Sequence, residues 1–143
     1  SVKGKASYIL LADVLRRENE KRRAAICATV SEYSEHSYKD QETGMSKRFA
    51  KLLLTQNGQT VECVLWDEFY KSHKSELTQI SGKIIILTAM IRYSHYSGCN
   101  TLQSYHNSLL FIQLVFRVFR FTSAPARFIR PAICAMYENL THL

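Results

Sequence analysis

The chain has 143 residues, room for one ordinary domain and far too few for two full enzyme domains. With 46% hydrophobic and 22% charged residues, 5 Gly and 2 Pro, its composition excludes a disordered, collagenous or low-complexity protein. The formal charge of +7 favours an anionic partner, but the excess sits in the flanks. Residues 1–23 carry net +4 and residues 114–143 net +3, while residues 24–113 balance eight Lys/Arg against eight Asp/Glu. The expected organisation is therefore an N-terminal helix or basic linker over residues 1–23, one domain over residues 24–113 and an extension over residues 114–143.

The first predicted element is a short amphipathic helix over residues 8–23, with Leu10, Leu11, Val14 and Leu15 at helical spacing before a charged run that ends in Lys21, Arg22 and Arg23. From Ala24 the period becomes two. Ile26, Ala28 and Val30 alternate with Cys27, Thr29 and Ser31, the mark of a half-buried strand. The polar stretch over residues 34–44 reads as a long loop, and a second strand follows over residues 47–54. Gln56-Asn57-Gly58-Gln59 is a hairpin signal, because Asn-Gly tolerates the positive φ of tight β-turns, and it leads to a third strand over residues 60–66. Asp67 is placed to cap a helix of about three turns over residues 67–77. After Ser81-Gly82, residues 83–91 form a nearly continuous β-branched apolar run suited to a strand buried on both sides. A turn at Tyr96-Ser97-Gly98, a fifth strand over residues 101–105 and a closing apolar segment over residues 109–112 complete the series.

Five strands with a helix between the third and fourth make a mainly β chain, the layout of an OB-fold. This five-stranded Greek-key barrel binds oligonucleotides or oligosaccharides on its second and third strands and flanking loops. Cys27, Cys63, Cys99 and Cys134 contain no CxxC pair, so no zinc site and no other metal or cofactor is expected. No leader segment and a reducing compartment are expected. The longest apolar stretch, residues 109–116, is well short of the ~20 residues of a spanning helix; no membrane contact and no small-molecule substrate is expected. His36, His73, His95, His106 and His142 lack a nucleophile or carboxylate partner at any motif spacing, and there is no phosphate-binding Gly loop and no GxSxG. Catalysis is not expected.

Ser46-Lys47-Arg48-Phe49, Leu52-Leu53-Leu54, Asn57-Gly58 and Cys63-Val64-Leu65-Trp66, followed by residues 84–87, Tyr96-Ser97-Gly98, Thr101-Leu102-Gln103 and Tyr105-His106-Asn107, form an ordered set spanning about 90 residues. It resembles a DNA-binding OB domain of the large subunit of replication protein A, with plant-like members nearest in flavour. The resemblance implies single-stranded DNA as partner, with other OB-fold subunits or domains beside it, and a role in DNA replication, recombination or repair in the nucleus. It also implies stacking of bases on Trp66 and Tyr96 and phosphate contacts from Lys47 and Arg48. Phe49 and Lys51 share a strand face with Lys47; Tyr93, Gln103 and Tyr105 lie near the same surface and complete the candidate set. The sequence departs from the family's pattern at Thr55-Gln56, at Cys99-Asn100 and after Gln113. Two alternatives stay open: an OB-fold that serves protein interaction and assembly, and one that binds RNA.

Overall fold

The computed structural model describes residues 7–115 and 118–119. Within them the strands are β1 (Ser7–Tyr8), β2 (Arg23–Lys39), β3 (Ser46–Gln56), β4 (Gln59–Trp66), β5 (Ile84–Ser94), β6 (Cys99–Gln103), β7 (Leu110–Val115) and β8 (Val118–Phe119), with helices α1 (Leu11–Val14) and α2 (Asp67–Leu77). The barrel closes through β2. Its first part pairs antiparallel with β5, from Arg23 opposite Met90 to Thr29 opposite Ile84, and its later part pairs antiparallel with β3. A bulge between Val30 and Glu32 supplies the bend that lets one strand serve both neighbours. The ring then runs β2, β3, β4, β6, β5 and back to β2, with β4 and β6 parallel and the other pairs antiparallel.

The alternation read from sequence is the alternation of the core. Ile26, Ala28, Val30, Leu52, Leu54, Cys63, Leu65, Ile85, Leu87, Ile91 and Leu102 all point inward and are buried. Tyr70 and Leu77 of α2 pack onto this core, and so do Leu11 and Val14 of α1. The hairpin forms as its sequence requires: Asn57 and Gly58 have φ of 50° and 80°, the left-handed pair of a two-residue turn. β5 is buried along its first six residues on both faces, as its apolar run predicts.

Four local expectations need correcting. Residues 8–23 do not form one amphipathic helix; only the single turn of α1 and a 3-10 turn at Arg17–Asn19 are helical. Asn100 donates its side-chain amide to the carbonyls of Val14 and Arg16 and holds that segment against the barrel. Residues 34–44 are only partly a loop: β2 continues to Lys39 and pairs with β3 as far as Ser46, so a two-stranded ribbon projects past the barrel and the connection is confined to residues 40–45. Residues 34–39 are exposed and, apart from Tyr38, polar, so the stretch lacks the apolar alternation that betrays a strand. Asp67 is the first residue of α2 rather than its cap; the cap position is Trp66, without a side-chain cap. The fifth ring strand is Cys99–Gln103, two residues earlier than expected. Of the extension expected over residues 114–143, only residues 114–115 and 118–119 are placed, in β7 and β8, and the remainder lies outside the described residues.

Cys27 and Cys63 are free and buried, and Cys99 is free and exposed. Burial pushes the Cys27 thiol up to about 12 and the Cys63 thiol further still. Because the thiolate is the reactive form, an alkylating reagent at pH 8 is expected to label Cys99 in the folded protein and to reach Cys27 and Cys63 only on unfolding. Mass mapping of labelled peptides reads the result; rapid labelling of native Cys63 would contradict the packing. Among the described residues no helix is long and apolar enough to cross a membrane, and no group of three or more His, Cys, Asp or Glu is placed to hold a metal.

Candidate nucleic-acid interface

Strand register decides which side chains share the outer face of the barrel, because residues directly opposite one another in a sheet point the same way. His36 pairs with Phe49, and Phe49 with Trp66. The three rings, with Tyr38, form one cluster. Phe49 and Trp66 have centroids 5.0 Å apart, His36 stacks on Phe49 at 5.2 Å with its plane 19° away, and Tyr38 meets the Trp66 ring edge-on at 5.8 Å. Trp66 and Phe49 are half-buried and Tyr38 and His36 are exposed, so the cluster presents aromatic surface to solvent on a rigid strand base. The Trp66 indole Nε1 donates to Gln103 Oε1 at 3.1 Å, which fixes the ring's tilt. Gln103 is thus a positioning residue for Trp66.

Tyr38 and His36 escaped the sequence reading because they lie in the ribbon that reads as loop. Their signal, two rings at i and i+2 opposite Lys47 and Phe49, exists only once the β2–β3 register is known.

β6 lies beside β4 with Cys63 opposite Leu102 and Val64 opposite Gln103. Continuing that register puts the start of β6, and with it the turn holding Tyr96, roughly 20 Å from the level of Trp66 at about 3.3 Å per residue. Tyr96 is 101% exposed and touches no packed surface. Between these two aromatic sites the outer face carries Gln103 opposite Met90, and Arg92, which lies opposite the buried Thr101. Arg92 is exposed, and among the described residues it has no ion-pair partner. Sequence reasoning passed over it because a single Arg in an apolar strand gives no pattern.

The cations named from sequence have a different setting. Lys47 lies 3.3 Å from Asp40 and 4.0 Å from Asp67, and Lys51 lies 3.7 Å from Glu62. The Asp40 contact holds the Lys47 ammonium above its usual range. Arg48 points to the opposite face from Lys47, Phe49 and Lys51, where it pairs with Glu35 at 3.1 Å. Glu35 also accepts from the Tyr33 hydroxyl at 2.8 Å, and that bond, more than Arg48, holds its carboxyl below the usual range. The Tyr70 hydroxyl of α2 is buried beside Glu35 without a well-formed bond, and burial raises it. Arg48 therefore braces the ribbon, while Lys47 and Lys51 share the open face already neutralised by carboxylates. Exposed pairs of this kind are worth about 0–1 kcal/mol, so a phosphate can displace them at small cost.

Two further candidates are not brought to the lane between Trp66 and Tyr96. Tyr93 sits under the Arg17 guanidinium, 3.7 Å from its centroid, and packs edge-on against His95. Tyr105 carries the Arg23 guanidinium at 4.5 Å and lies past the end of β6, on the Trp66 side.

This ring of strands has counterparts among solved structures. A replication protein A heterotrimer bound to single-stranded DNA matches with a TM-score of 0.60 at 12% identity, over 76% of this chain and 25% of that one. The OB domain of Ta0387 from Thermoplasma acidophilum matches at 0.54 and 8% identity, over 73% of this chain and 85% of that domain. The chain folds as an OB domain. Fission yeast Pot1 with single-stranded DNA is similar as well, at 0.53 and 12% identity, over 94% of this chain and 44% of that one. These identities speak for the OB barrel alone, in which the lane from Trp66 to Tyr96 crosses the third and fifth ring strands. No protein-family model matches the sequence, and no curated protein does.

Proposed function

We propose that this OB domain binds single-stranded DNA with little regard to sequence, as a non-catalytic module of the kind found in the large subunit of replication protein A. The observation that carries the reading is the pair of aromatic platforms on one open face, the Trp66 cluster and the wholly exposed Tyr96. Every base has a π-face, so stacking tolerates sequence, while cations follow the backbone. At 3.4 Å or more per nucleotide the lane holds about six nucleotides or fewer. OB domains in structures that contain single-stranded DNA, the replication protein A heterotrimer and Pot1, support the same reading. The resemblance in sequence extends it to replication, recombination or repair in the nucleus, with other OB modules working alongside.

Salt dependence tests the electrostatic half of the proposal. Single strands lose affinity with a log–log slope of about 0.7 per phosphate neutralised. Arg92→Ala is expected to weaken binding of a labelled oligo-dT in fluorescence anisotropy and to lower the slope by roughly that amount. Arg48→Gln is expected to leave the slope unchanged, because its guanidinium faces Glu35 on the far side of the ribbon. Absence of any binding at low salt would overturn the reading, and an equal slope for Arg92→Ala would remove Arg92 from the lane. Binding of oligo-rU tighter than that of a matched oligo-dU would instead assign the same face to RNA, since only the 2′-hydroxyl separates those two strands.

A further inference from the structure

Beside the aromatic cluster, past the end of β4, a cleft of about 460 Å³ opens between α2 and the segment that follows β6. Three aromatic residues line it, Trp66, Phe69 and Tyr105, and Trp66 is also part of the stacking platform. The cleft is thus continuous with the lane. Its charged groups are acceptors, set beside the hydroxyls of Ser72, Ser104, Tyr105 and Ser108. Asp67 and Glu68 present carboxylates whose ion-pair partners among the described residues are Lys47 and Lys71. His73 has Nδ1 at 3.0 Å from the Phe69 carbonyl, so Nδ1 carries the proton and Nε2 of the neutral ring is left to accept. Phe69 packs its ring on His73 at 4.4 Å and holds it there.

A phosphate is repelled by two carboxylates, and an aliphatic ligand leaves the acceptors without donors. A planar heteroaromatic ring with an exocyclic amine suits both features: its face lies on the rings and its N–H bonds meet the carboxylates or His73. Cytosine and adenine have such an amine, whereas thymine sets two carbonyl oxygens around a single N–H and turns lone pairs toward the carboxylates.

We propose that this cleft receives one nucleobase at an end of the bound strand and prefers an amino-bearing base to thymine. The inference rests on the single-stranded DNA reading and adds a base-selective position to a lane that is otherwise indifferent to sequence. A cleft of this size is in the range that encloses one small ligand, and Trp66 serves as its wall on one side and as a stacking face on the other.

The test compares binding of dT6, a strand no longer than the lane, by the full chain with that of dT6 carrying a single dC or dA at the 5′ end, the centre or the 3′ end. Substitution at one end is expected to tighten binding about fivefold or more, the lower range for one well-placed base contact, while a central substitution has no effect. Asp67→Asn, Glu68→Gln and His73→Ala combined are expected to abolish the preference without weakening dT6 binding; circular dichroism and Tm confirm that the variant folds. If dT6 binds and no end substitution matters, or if the preference survives in the variant, the cleft is not a base site and the DNA lane stands. If dT6 itself fails to bind at low salt, the DNA reading falls and the base site with it.

Discussion

The double variant Trp66→Ala/Tyr96→Ala is expected to lose oligo-dT binding by about 2–6 kcal/mol, taking about 1–3 kcal/mol for each stacked base. In a single OB module that loss takes binding beyond detection. The two halves of the effect separate cleanly. Tyr96 is fully exposed and packs on nothing, so Tyr96→Ala should reduce affinity while leaving Tm unchanged, because surface substitutions are usually within about 0.5 kcal/mol of neutral. Trp66 is half-buried against Phe49 and Tyr38 and bonds Gln103, so Trp66→Ala should cost both stability and affinity. Trp66→Phe keeps a ring on the platform and loses the Nε1 donor, and should fall between wild type and alanine. Wild-type affinity in Tyr96→Ala would remove the exposed loop aromatic from the binding face and halve the proposed lane.

The largest effect on stability from a polar residue is expected at Gln56. Its side chain is 8% exposed and bridges two elements far apart in sequence: Oε1 accepts the backbone N–H of Leu11 at 2.9 Å, and Nε2 donates to the Cys27 carbonyl at 2.6 Å. The bridge ties α1 and the closing strand β2 to the end of the β3–β4 hairpin. In Gln56→Ala both backbone groups lose their partner while staying out of water, and each buried orphan costs about 1–3 kcal/mol. A total of roughly 2–6 kcal/mol is a large share of the ~5–15 kcal/mol that holds an ordinary domain together. Urea unfolding should show a lower midpoint at an unchanged m-value. A shift worth less than about 0.5 kcal/mol, the scale of an ordinary surface substitution, would mean that water or a rearranged α1 satisfies the two groups.

The ring was legible because its signals are local. Alternation along Ile26, Ala28 and Val30, the Asn57-Gly58 turn and the β-branched run of β5 each depend on neighbours a few residues away. Trp66 and Tyr96 stood out for the same reason, one at a strand end and one in a turn. What stayed hidden depends on long-range pairing. The ribbon from Ser34 to Lys39 leaves the barrel and has water on both faces, so no hydrophobic period marks it, and the rings of His36 and Tyr38 were read as loop residues. Asp40, Glu62 and Glu35 meet Lys47, Lys51 and Arg48 only through strand register, so the ion pairs of these three cations, and Arg92 as the exposed cation of the lane without one among the described residues, were beyond local pattern. Gln56 and Asn100 reach partners 29 to 86 residues away, beyond any window of local pattern.

The central claim is that bases stack on the Trp66 cluster, and the chain contains a single Trp to report it. Titration with oligo-dT at low salt, followed by tryptophan fluorescence, is the most direct measurement. Saturable quenching that reverses on adding salt is the predicted result. Saturable binding by anisotropy with unchanged Trp66 emission, or no binding at all, would contradict it.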